Sequence, residues 1–73
     1  MRYEKFRIGE TYNKYDAQRG GSVDLECVAR TEKTVTFKYS DGERVTKRIR
    51  TKVYGLCNLM CEYVTFGKTV VET

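Results

Sequence analysis

Apolar and polar positions alternate along much of this chain. Val35, Phe37 and Tyr39 share one side and Thr34, Thr36 and Lys38 the other, the cleanest alternation present and the mark of a half-buried strand. Just upstream, Val23, Leu25 and Cys27 oppose Asp24 and Glu26, giving a second strand, with Arg30-Thr31-Glu32 as the turn between the two. Nearer the start, Phe6, Ile8 and, past Gly9, Tyr12 predict a first strand. Residues 13–22 (NKYDAQRGGS) then read as a polar loop, of a length at which loops in small domains carry binding function.

The register of the next hairpin follows from Ser40-Asp41-Gly42. A two-residue Asp-Gly loop would set Lys38 opposite Val45 and turn Val45 and Ile49 to the wrong face. A three-residue loop with Gly42 in the left-handed position sets Tyr39 opposite Glu43 and Phe37 opposite Val45, so the apolar sets agree. A fourth strand over 43–53 keeps Val45, Ile49 and Val53 in phase, while Lys47 and Thr51 interrupt the inward set, which predicts a bent or half-exposed strand. Over 54–61, Leu56, Leu59, Met60 and Tyr63 fall at helical spacing and suggest one short helical turn. The runs 63–66 and 69–71 flank Gly67-Lys68, a tight hairpin turn.

Together these elements predict a single all-β domain over residues 1–73. The expected form is a small five- to six-stranded Src-homology-3-like barrel or a strongly bent antiparallel sheet, with one short helical turn near residues 55–61. The element order, from FRIGETY through a long polar loop, meandering strands and a short helical link to a last strand, resembles that barrel class. FRIGETY (6–12), KTVTFKYSDGE (33–43), the basic strand after it and EYV (62–64) also resemble a group of short bacterial and phage proteins. That resemblance implies a fold and a genomic setting, and no activity.

Charge is where composition changes the picture. The chain carries a net +4, and the segment 43–52, ERVTKRIRTK, holds five basic residues and one acidic, so the rest sums to zero. On the register above, Arg44, Arg48, Arg50 and Lys52 point outward, and Lys38 lies opposite Arg44. Like charges so placed destabilise a sheet by up to about 1 kcal/mol. Two readings stand side by side. An anionic partner, most simply a nucleic-acid backbone, would offset the repulsion through phosphate contacts. The commoner explanation is local: Asp24 would fall opposite Lys38, and basic residues guard exposed strands against aggregation. Among the six tyrosines, Tyr39 and Tyr63 read as core by alternation, whereas Tyr12 and Tyr15 border the polar loop and Tyr54 follows the basic strand. Those three are the candidates for base stacking or an interface.

The chain has no histidine, which removes the commonest general base, nucleophile partner and metal ligand. No catalytic residue, cofactor or metal is expected. Cys57 and Cys61 would share one side of a helical turn, but a zinc site wants four ligands and only Cys27 remains, so small buried apolar side chains are the ordinary reading. An odd cysteine count fits free thiols in a reducing compartment. With no apolar spanning segment or leader pattern, a cytoplasmic protein without membrane contact is expected. The expected function is therefore a non-catalytic binding module using a cationic hairpin face on nucleic acid or an acidic protein surface. The alternatives are a small phage-type inhibitor that blocks a host defence protein and a homo-oligomer that sequesters nucleotides.

Overall fold

A computed structural model describes residues 2–73. The described residues form eight strands: β1 (Arg2–Glu4), β2 (Thr11–Asp16), β3 (Gly21–Arg30), β4 (Thr34–Tyr39), β5 (Arg44–Arg48), β6 (Arg50–Tyr54), β7 (Leu59–Phe66) and β8 (Thr69–Glu72), with 3₁₀ turns at Ala17–Arg19 and Gly55–Cys57. They make two four-stranded sheets. One runs β2-β3-β4-β5, all antiparallel. In the other, β7 pairs with β6 and β8 antiparallel and with β1 in parallel. The architecture is all-β and mostly antiparallel, with more strands than expected, and neither sheet closes into a barrel. β2 and β8 run beside one another without ladder bonds.

The core lies between the sheets. Leu25, Cys27, Val35, Phe37 and Tyr39 from one meet Val64 and Val71 from the other, with Phe6 among them. The alternation of β3 and β4 thus appears where it was expected. So does the hairpin: Phe37 faces Val45 and Lys38 faces Arg44. The Tyr39 N–H donates to the Glu43 carbonyl at 2.8 Å, and Gly42 sits at φ +93°, a conformation that favours glycine.

The start of the chain differs from expectation. Phe6 and Ile8 belong to no strand. The Phe6 N–H donates to a Glu62 carboxylate oxygen (2.8 Å), the Arg7 N–H to the Tyr12 hydroxyl (3.1 Å) and the Glu10 N–H to the Arg7 carbonyl, with Gly9 at φ +95° completing the turn. Phe6 is driven into the core while Ile8 is 64% exposed. The strand lies further on, at β2, which starts at Thr11 and runs through Asp16 into the stretch expected to be a loop. It escaped notice because its inward row is Tyr12, Lys14 and Asp16, two of them charged. The remainder of that stretch is the first 3₁₀ turn, capped by the Asp16 carboxylate accepting from the Gln18 N–H (3.0 Å), and the start of β3.

Four smaller corrections follow from geometry. Pairing beside the turn begins with Arg30 opposite Val35, and with the one-residue register shift between Cys27 and Ala29 it sets Glu26, not Asp24, opposite Lys38. The basic strand breaks at Ile49, whose N–H donates to the Lys33 carbonyl (2.8 Å), and Val53 beyond the break is 53% exposed. The helical turn is confined to Gly55–Cys57, with Leu59, Met60 and Cys61 already in β7. Tyr63 is half-buried on the outward row, because Glu62 and Val64 take the inward positions.

Candidate anion-binding ridge

The bend at Ile49 carries the chain from one sheet to the other without inserting a residue out of phase. Before it, Arg44 pairs with Lys38, Thr46 with Thr36 (hydroxyl oxygens 2.8 Å apart) and Arg48 with Thr34, all opposite in phase to the buried Val35 and Phe37. After it, Arg50 pairs with Tyr63, Lys52 with Cys61 and Tyr54 with Leu59, opposite in phase to the core residue Val64. Side chains of a strand alternate between faces, so positions 44, 46, 48, 50, 52 and 54 form one outward row. Arg44, Arg48, Arg50 and Lys52 are exposed along it and Lys38 is half-buried beside it.

Among the described residues, none of these five cations has a carboxylate within 4.0 Å. Elsewhere the fold does pair its cations: Arg2 with Glu4, Lys14 with Asp16, Arg19 with Asp16, Asp41 and Glu43, and Arg30 with Glu62. The Lys52 ammonium stands 5.1 Å from the Tyr54 ring centroid, and the neighbouring Tyr54 holds its pKa above the ordinary lysine value. The Tyr54 hydroxyl donates to Glu72 (2.8 Å). One flank of the ridge is acidic: Glu26 faces Lys38 across the ladder, and Asp24 lies two residues along the same strand.

The structure places Lys38, Arg44 and Arg48 on the outward face of the β2-β3-β4-β5 sheet and Arg50, Lys52 and Tyr54 on the outward face of the other, joined through the bend at Ile49. It does not bring Tyr12 or Tyr15 to them. The Tyr12 ring packs edge-on against Phe6 (centroids 5.0 Å apart) and Phe37 (6.0 Å), and its hydroxyl is occupied by the Arg7 N–H, so it belongs to the core rim. Tyr15 is exposed but stands on β2, opposite Ser22. Three strand spacings, about 14 Å, separate it from β5, with the acidic flank between.

The cysteines are all free, Cys27 and Cys61 buried and Cys57 exposed. Cys61 lies in a strand, so the two thiols of 57 and 61 do not share a helical turn. Among the described residues no three Cys, Asp or Glu side chains converge as a metal site would require, and no helix is long and apolar enough to cross a membrane.

Sequence inspection did not single out the ion pair of Arg30 and Glu62. Glu62 is 1% exposed, and Arg30 meets it with two nitrogens at 2.6 and 3.0 Å while also donating to the Phe6 carbonyl (2.8 Å). Burial pushes the Glu62 carboxyl upward, but Arg30 and the Phe6 N–H outweigh it and hold it below the usual carboxylate range. No family model, curated protein or solved structure matches this chain.

Proposed function

We propose that this chain is a non-catalytic binding module whose outward ridge holds the phosphates of a nucleic acid, on a fold that is an opened form of the Src-homology-3-like barrel. The observation that carries this reading is the row of Arg44, Arg48, Arg50 and Lys52 following one strand phase through the bend, with Lys38 beside it and, among the described residues, no carboxylate within 4.0 Å of any of the five. Arginine and lysine on phosphates give affinity without sequence preference, and each contact displaces condensed counterions. Tyr54 at the end of the row offers a ring to an unstacked base. Lys38 and Arg44, facing each other at a cost to the sheet, are then reconciled by a phosphate between them.

The test is a fluorescence titration of labelled duplex and single-stranded DNA and RNA at several salt concentrations. Five phosphate contacts on a duplex give a slope of log K against log salt of about −4.5. Replacing Arg44, Arg48, Arg50 and Lys52 together by glutamate abolishes binding and leaves the fold intact. Binding that is indifferent to salt, or that survives this replacement, refutes the assignment.

A further inference from the structure

The cationic row turns with the chain. β5 lies in one sheet and β6 in the other, and the opposite phase of this segment, through Val45 and Ile49, packs against the core. The row of Arg44, Arg48, Arg50 and Lys52 therefore rides the outer, convex side of the bend, as it must where a strand switches between packed sheets. From position 44 to position 52 the strand covers about 27 Å, and no flat face contains all of its cations. Lys38, Arg44 and Arg48 stand on one face, Arg50 and Lys52 on the other.

The row is also narrow. Across the first sheet, Lys38 separates Arg44 from Glu26, and across the second, Tyr63 separates Arg50 from Glu72. On both, two strand spacings of about 10 Å lead from cation to carboxylate. What lies between differs. β4 and β5 set Thr34, Thr36 and Thr46 among their cations, and no ring. β7 sets Tyr63 beside Arg50, half-buried on the outward row. Tyr54 brings a second ring to that face: its backbone pairs with Leu59, yet its hydroxyl reaches Glu72, so the side chain crosses β7 toward β8. The Lys52 ammonium stands over that ring.

We propose that the ridge takes a single strand of nucleic acid and discriminates against duplex, the phosphates following positions 44 to 52 and the bases turning over Tyr63 and Tyr54. The inference rests on the nucleic-acid reading of the ridge and adds the class of strand. A single strand is flexible enough to follow the bend, and the extended backbone of one nucleotide spans about one side-chain repeat of the row. Duplex DNA has a persistence length of about 150 base pairs, so over this distance it is a straight rod. Against a convex surface it meets the three cations of one face or the two of the other. Its second backbone, across a groove of about 6 or 12 Å, comes over Glu26 or Glu72 when it lies above either sheet. Paired bases also offer no face to a tyrosine, whereas unpaired ones stack on aromatic rings with little regard to sequence.

The deciding experiment titrates the full-length protein into a labelled twelve-nucleotide DNA strand, alone and annealed to its complement, and follows anisotropy at several salt concentrations. The single strand is expected to bind at least about tenfold tighter, with a slope of log K against log salt of about −3.5 for five contacts, against about −2 to −3 for the duplex. Tyr63→Leu weakens the single strand at least about fivefold and the duplex less than about twofold. Tyr63→Phe, which keeps the ring, retains the preference, and Tyr15→Leu on the distant β2 changes neither affinity. A duplex that binds as tightly as the single strand, with the five-contact slope of about −4.5, overturns the inference and leaves the nucleic-acid reading standing. So does a single-strand preference that survives Tyr63→Leu and Tyr54→Leu together. Binding of neither form removes the reading itself, and this inference with it.

Discussion

The two ends of this molecule use the same cations in opposite ways. At the end formed by the 3₁₀ turn at Ala17–Arg19 and the β4–β5 turn, positive charge closes the core. Lys14 is buried with its ammonium 4.1 Å from the Phe66 ring centroid, donating to the Tyr39 hydroxyl (2.8 Å) and to Asp16 (3.2 Å). Burial opposes its charge, yet Tyr39 and Asp16 together hold its pKa above the ordinary lysine value. Arg19 stacks 3.9 Å from the Tyr39 ring centroid and reaches Asp41 and Glu43. At the other end, past Arg30 and Glu62, Tyr3 and Val53 stand exposed and, among the described residues, Lys5 and Lys33 have no carboxylate within 4.0 Å. The difference is the supply of acceptors. Turns at the closed end provide Asp16, Asp41 and Glu43.

The largest test of this contrast is to break one cation on each side. Arg30→Met strands Glu62 in the interior and is expected to cost about 3–5 kcal/mol in urea unfolding, whereas Arg50→Met stays within about 0.5 kcal/mol. Next, Lys14→Met leaves the Tyr39 hydroxyl and Asp16 short of a donor, a loss of about 1–3 kcal/mol measurable by the same unfolding curves. The Glu62 carboxyl is held below its usual range. Its contribution is therefore full above the unfolded value of about 4.3 and disappears as pH falls through the lower native one. Unfolding midpoints of the native chain and of Glu62→Gln should accordingly differ at pH 7 and converge in acid. The smallest effect is a gain: Lys38→Thr removes the like-charge pair with Arg44 and is expected to stabilise the sheet by a few tenths of a kcal/mol, while weakening DNA binding.

Where apolar residues occupied the inward row, the sequence was enough to read the fold. Val35, Phe37 and Tyr39 fixed β4, and the choice between two loop lengths at Asp41-Gly42 fixed the hairpin that carries the ridge. Where the inward row held charge, it was not. β2 hid behind Lys14 and Asp16, because a buried lysine is legible only once Phe66, Tyr39 and Asp16 are known to surround it. Position 62 did carry a signal, since a glutamate in phase with Val64 needs a buried partner. Which arginine would supply it depends on the shift between Cys27 and Ala29, and local pattern does not reveal a bulge. Val53 had the phase of a core residue, but its exposure follows from how far β6 outruns the hairpin beside it, a property of two elements together.

The unbroken phase through Ile49 makes chain length itself a coordinate of the surface. Successive outward side chains on a strand recur at about 6.5–7 Å, so Arg44 to Lys52 is a graduated ruler laid around a corner. Adding or deleting one residue at the corner would rotate Arg50 and Lys52 inward and bring Thr51 and Val53 out, cutting the ruler in half although every arginine and lysine remained. Conservative exchange of its letters should be tolerated along this strand, and a change in their number should not.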